Sequence, residues 1–146
     1  MLIKMMHNKL FFYILSFTWG LPLTLVGCVI SIILLIAGYK PCQWGYCYYF
    51  EIGENWGGLE FGPIFLTNKN PSEHTKSHEL GHGIQNCYFG PLMIFIVSIP
   101  SAVRYWYRTI KEYCGFPCKT KYNDIWFEHQ ASMLGENFIE WYNEAQ

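Results

Sequence analysis

Between Lys9 and Lys40 the chain carries no Asp, Glu, Lys or Arg. A single membrane-spanning helix needs about 20 apolar residues, so one fits in this run with length to spare for tilt. Gly20 and Pro22 mark a kink or the start of the helix, which places Leu23–Gly38 inside the span. A cleaved export signal is the alternative reading. It is disfavoured because the run exceeds the usual apolar stretch of about 7–15 residues and no small-x-small cleavage site follows it. The rest of the composition agrees, with 51% hydrophobic, 19% aromatic and only 14% charged residues, against about 25% charged in soluble domains. Residues 1–39 are therefore expected to form a tail and membrane anchor, and 40–146 a compact domain. The net charge of −1 gives no sign of nucleic-acid binding.

Lys4, Lys9 and the α-amino group flank the run on one side, and only Lys40 on the other until Lys69. The excess favours a cytoplasmic N-terminus and a domain outside the cytoplasm. A second apolar run, 88–103, reads YFGPLMIFIVSIPSAV and contains Pro91 and Pro100. It is short for a span, so a buried core helix, a re-entrant segment and a crossing all remain open. Of six cysteines, Cys42 with Cys47 and Cys114 with Cys118 are spaced for disulfides in an exported domain, and neither pair has structural-zinc spacing.

His78-Glu79-Leu80-Gly81-His82 is an HExxH pentapeptide. On a helix, residues four apart share a face, so both imidazoles can reach one ion. Glu79 then sits where it can act as general base on a metal-activated water. The flanks predict such a helix: Asn70 as N-cap, Pro71 in the first turn, Glu73 closing a capping box, and Gly90-Pro91 as the stop. Gly81 and Gly83 interrupt its interior at about 1 kcal/mol each relative to Ala, which implies the close approach of another element. The bland alternative is two solvated histidines and a surface glutamate.

Before this helix, Tyr46–Ile52 and Leu59–Thr67 read as an antiparallel hairpin, with Pro63 confining the second strand to an edge or a bulge. An edge strand there could pair with an extended peptide. After the second apolar run, Arg104–Glu112 is amphipathic and aromatic, as expected near a membrane surface. Asn123 or Asp124 caps a last helix whose core face carries Trp126, Phe127, Ala131, Leu134, Phe138 and Trp141. The fold class expected is α+β.

A catalytic zinc usually has three protein ligands. The extended pattern HExxHxxGxxH would need Gly at 85 and His at 88, where the chain has Gln85 and Tyr88. A later glutamate is the alternative. Glu128 is preferred, because an unpaired carboxylate among Ile125, Trp126, Phe127 and Ala131 would be costly to bury. A solvated carboxylate is its competing reading. His129 and Asp124 are fallback ligands, and His74 is expected to be solvated or close to the site. Ala131 and Gly135 leave room for a neighbouring helix.

HELGHGIQN followed by WFEHQASMLG resembles the gluzincin-type pattern HExxHxxQ … ExxA(D/N)xxG of compact zinc-peptidase-like domains. The GP…IPS segment between them is similar to that of small bacterial membrane proteins with the same motif pair. The resemblance covers roughly 70–138 and departs from the pattern at Ser132. It implies His78, His82 and Glu128 as zinc ligands, with Glu79 as the base. The implied function is that of a membrane-anchored peptidase of a bacterial cytoplasmic membrane, acting on peptides or membrane proteins near the bilayer surface. By chemistry alone, Tyr122, Arg104 and Tyr113 are candidates for the oxyanion donor, with Tyr122 preferred. The alternative is a non-hydrolytic zinc-binding membrane scaffold or partner protein.

Overall fold

A computed structural model of the chain describes residues 2–119 and 125–146. The order is α1 (Leu2–Met6), α2 (Lys9–Phe17), α3 (Leu21–Ile36), β1 (Cys42–Trp44), β2 (Cys47–Glu51), β3 (Gly58–Phe61), β4 (Ile64–Thr67), α4 (Glu73–Phe89), a 3-10 turn (Gly90–Leu92), a π turn (Ile94–Ser98), α5 (Ile99–Tyr113) and α6 (Trp126–Glu144). The fold is α+β.

The expected anchor is not one continuous helix. α2 and α3 meet at 94°, and no single helix among the described residues is long and apolar enough to cross a membrane. The bend is stitched by polar groups: Asn86 Nδ2 donates to Gly20 O at 3.2 Å, and Thr24 Oγ1 donates to Ser16 O at 2.8 Å. A Cβ at Gly20 would displace the Asn86 side chain from this contact. α3 has 16 residues, about 24 Å at 1.5 Å per residue, against a hydrocarbon core of about 30 Å.

The sheet order is β1-β2-β4-β3. β1 and β2 form a tight hairpin, as do β3 and β4, whereas β2 and β4 pair in parallel. This corrects the expected antiparallel pairing of Tyr46–Ile52 with Leu59–Thr67. Gly62 (φ +70) and Pro63 make a two-residue turn that splits the second segment into two strands. Pro63 thus sits in a turn, where its missing N–H costs nothing, and its carbonyl accepts from Tyr48 N at 2.9 Å. β3 thus lies at one edge of the sheet and β1 at the other.

α4 starts two residues later than expected. Ser72, not Asn70, is the N-cap, accepting from Thr75 N, while Asn70 sits at φ +52 just before. Gly90 ends the helix as anticipated. α4 and α6 then cross at backbone distance, since a Cβ at Gly81 would overlap the Ala131 backbone and one at Gly135 the Ser77 backbone. Phe127, Ala131, Leu134 and Phe138 are buried on the α6 face, whereas Trp126 is exposed and Trp141 partly so. The cap positions Asn123 and Asp124 lie outside the described residues.

The core gathers Phe12, Tyr46, Cys47, Phe65, Leu80, Ile84, Leu134 and Phe138 between sheet and helices. A smaller cluster joins Leu23, Met93, Val97 and Phe127. All six cysteines are free thiols, so neither anticipated disulfide forms. In the first pair, Cys47 is buried in the core and Cys42 is exposed on the adjacent strand.

Candidate metal centre

α4 and α6 converge on one point. His78 Nε2 lies 3.0 Å and His82 Nε2 3.2 Å from the same Glu128 oxygen, Oε2, and the two Nε2 atoms are 3.1 Å apart. A tetrahedral ion with bonds of about 2.0–2.1 Å sets ligand separations near 3.3 Å, so this triangle is close to the size such an ion needs. The close crossing permits it. Bulkier residues at 81 or 135 would hold the helices apart and carry Glu128 away from the imidazoles.

Each ligand is held by a second contact. Gln85 Nε2 donates to Phe127 O at 2.8 Å and to Gln130 Oε1 at 2.9 Å. That double donation leaves Gln85 Oε1 as an acceptor facing His82 Nδ1 at 2.8 Å. Nδ1 therefore carries the proton in neutral His82, and the Nε2 lone pair points at the shared site. Ser132 Oγ stands 2.9 Å from His78 Nδ1 in the same role. Ser101 Oγ, from α5, donates at 2.5 Å to Glu128 Oε1 and leaves Oε2 to the histidines. Two lone pairs and a carboxylate oxygen at this separation repel unless a proton or a cation sits among them.

The electrostatics reflect that demand. Burial pushes His82 down, but the Glu128 hydrogen bond and the charges of Glu79, Glu128 and Glu60 outweigh it and hold the imidazole at about 9. Burial would raise Glu128, yet hydrogen bonds from His78 and His82 carry it well below the usual carboxylate range. The group His78, His82, Glu128 can hold a metal ion.

Beside it opens a cleft of about 320 Å³. Its walls are the edge strand with its preceding loop (Trp56, Gly57, Gly58, Leu59, Glu60), α4 (His74, Thr75, His78, Glu79, His82), and the π turn with α5 (Val97, Ser98, Ser101, Tyr105). Glu79 is buried against β3, where a side chain at Gly58 would strike its carboxylate. Burial raises the Glu79 pKa, partly offset by His82 and His78. Glu60 is also buried and is pushed up to about 8, chiefly by desolvation, while its carboxylate accepts from Gly62 N.

The structure thus brings together His78, His82 and Glu128, with Glu79 in the adjoining cleft. His129 is exposed and outside the ligand group. His74 is exposed at the cleft edge, 2.9 Å from Glu136 Oε1. Tyr122 and Asp124 lie outside the described residues. Arg104 lines a separate recess and Tyr113 is exposed, so neither faces the cleft. Sequence reading missed Ser101, Glu60 and Tyr105. The only signal for Tyr105 was its place one turn after Ser101. Cys87 is a packed thiol, 3.4 Å from Ser16 Oγ.

Compared with family models, curated proteins and solved structures, the chain gives no match.

Proposed function

We propose that the chain is a membrane-anchored, zinc-dependent peptidase in which His78, His82 and Glu128 hold the metal and Glu79 is the general base. The observation that carries this reading is the convergence of two imidazole Nε2 atoms and one carboxylate oxygen, 3.0–3.2 Å apart, beside a cleft that contains a buried glutamate. Zinc, when bound, supplies a water acidified toward a pKa of about 7 and a Lewis acid for a peptide carbonyl. Glu79 receives the proton from the attacking water and returns it to the leaving amine.

The substrate side fits an extended peptide. Gly57 O accepts from Asn68 N on the β4 side, and ladder alternation then directs the backbone groups of Gly58 and Glu60 to the free edge of β3. A peptide added there as a further strand would run along the cleft. Among the described residues, Tyr105 is the phenol that lines this cleft, and we assign it as donor to the oxyanion.

The membrane part of the reading rests on α3, whose Leu25, Val26, Val29, Ile32, Ile33 and Ile36 are exposed although they are apolar. Lipid around α2 and α3 would cover them. The Lys4 and Lys9 flank favours a domain outside the cytoplasm.

The test is Glu79→Gln in the purified full chain in detergent, assayed on a fluorogenic peptide library. Zinc content should stay at the wild-type value while cleavage falls by about 10²–10⁴-fold. Unchanged cleavage, or a phenotype of the producing cells that does not respond to the substitution, would instead favour the zinc-binding scaffold.

A further inference from the structure

The amphipathicity of α5 points the wrong way for a helix packed on a protein core. Ile99, Val103, Trp106 and Ile110 follow one another at spacings of three and four, so they form one stripe. They are 48%, 62%, 62% and 59% exposed, and Tyr113, which continues the stripe, is 93% exposed. The other side is polar, and its N-terminal part faces the molecule. Ser101 reaches Glu128, Tyr105 lines the cleft, and Arg104 and Arg108 line a recess with Lys111 and Lys119. No residue of α5 is buried.

The order along the helix is equally directional. Residues 88–103 carry no charge, after which Arg104, Arg108, Lys111 and Lys119 are interleaved with Tyr105, Trp106, Tyr107 and Tyr113, with Glu112 the one acid among them. An uncharged run that gives way to mixed aromatic and cationic residues matches the passage from hydrocarbon into an interface with anionic headgroups. α3 ends the same way, its apolar run closing on Tyr39-Lys40. Both segments leave from the shared cluster of Leu23, Met93, Val97 and Phe127.

We propose that the outer stripe of α5 lies in the lipid of a bilayer with anionic headgroups, so that one helix is both a lipid-facing surface and a wall of the metal cleft. This rests on the membrane placement proposed above, and not on zinc or on hydrolysis. It assigns the substrate to polypeptide segments lying at the headgroup level, which enter the cleft between β3 and α5 without leaving the membrane surface.

The test uses the full chain in phosphatidylcholine vesicles, with and without phosphatidylglycerol, and bromine on the acyl chains as quencher. Trp106→Phe should remove a lipid-quenched component of the tryptophan emission, whereas Trp56→Phe, at the cleft, should not. Brominated phosphatidylglycerol should quench Trp106 more than brominated phosphatidylcholine does. Replacing Lys111 and Lys119 by Gln should weaken that preference, by up to about fivefold per charge removed. If acrylamide in the water, and not lipid, quenches Trp106 while Trp19 stays lipid-quenched, this proposal is overturned and the N-terminal placement stands. If lipid quenches neither, both fall. Shielding of Trp106 from both quenchers, together with a dimer lost in Ile110→Asp, would assign the stripe to a second copy and overturn the lipid reading.

Discussion

The α4–α6 crossing and the α5 helix are joined through Ser101 and Glu128, and they differ in almost everything else. At the crossing, Gly81 and Gly135 let two backbones touch, and the buried polar groups Glu128, Gln85, Ser132 and His82 each find a partner. In α5 nothing is buried and the apolar side looks outward. The contrast shows where each region's free energy comes from. The crossing depends on contacts within the chain and on charge balance at one point. On the membrane placement proposed above, α5 depends on the lipid around the chain. Substitutions in the first region should therefore damage the protein in any solvent, and those in the second only in a bilayer.

The largest effect that would break this contrast is steric. Gly135→Leu or Gly81→Val forces a side chain into the facing backbone and should cost at least the roughly 1–3 kcal/mol of an overpacked core, with loss of metal binding. Val103→Ala on the outer face of α5 should shift unfolding in detergent by less than about 0.5 kcal/mol. Denaturant titration of the three variants checks both. Comparable losses would mean that α5 is packed on protein.

Next comes the ligand set. Glu128→Ala should abolish stoichiometric zinc while the backbone crossing survives, as judged by circular dichroism. Smaller losses, about 10–100-fold in zinc affinity, are expected for Gln85→Ala and Ser132→Ala, because each releases the imidazole it orients. Competition with a chelating dye measures all three. An unchanged affinity in Gln85→Ala would remove the argument from the His82 tautomer.

A further effect is in pH. In the metal-free protein His82 is held at about 9, above its ordinary value, so at neutral pH the ion must displace a proton. Zinc affinity should then rise with pH by about tenfold per unit and level off above about 9. Calorimetry in buffers of different ionisation enthalpy counts the released proton. An affinity flat between pH 6 and 8 would contradict the assigned charge state.

Much of the centre could be read from residue types. The four-residue spacing of His78 and His82 is a property of any helix, and Glu128 stood out because its neighbours are apolar. Gly81, Gly83 and Gly135 announced a close approach whose partner only the fold supplies. Ser132 departs from the acidic or amide residue of the familiar pattern, yet its hydroxyl meets His78 Nδ1 at the distance a carboxylate would. That substitution cannot be judged without the backbone position. Strand pairing was misread because Gly62-Pro63 cuts an apparently continuous β segment, and a parallel partner leaves no local mark. The bend between α2 and α3 was half legible, in Gly20 and Pro22. The hydrogen bond that Asn86 donates to Gly20 O at the bend comes from a residue distant in sequence.

Zinc-edge X-ray absorption on the purified full chain addresses the central claim most directly. The account predicts one zinc per chain, with a nitrogen and oxygen shell at about 2.0–2.1 Å that includes two imidazoles. Absence of stoichiometric zinc, or a sulfur shell near about 2.3 Å marking cysteine ligands, would contradict it.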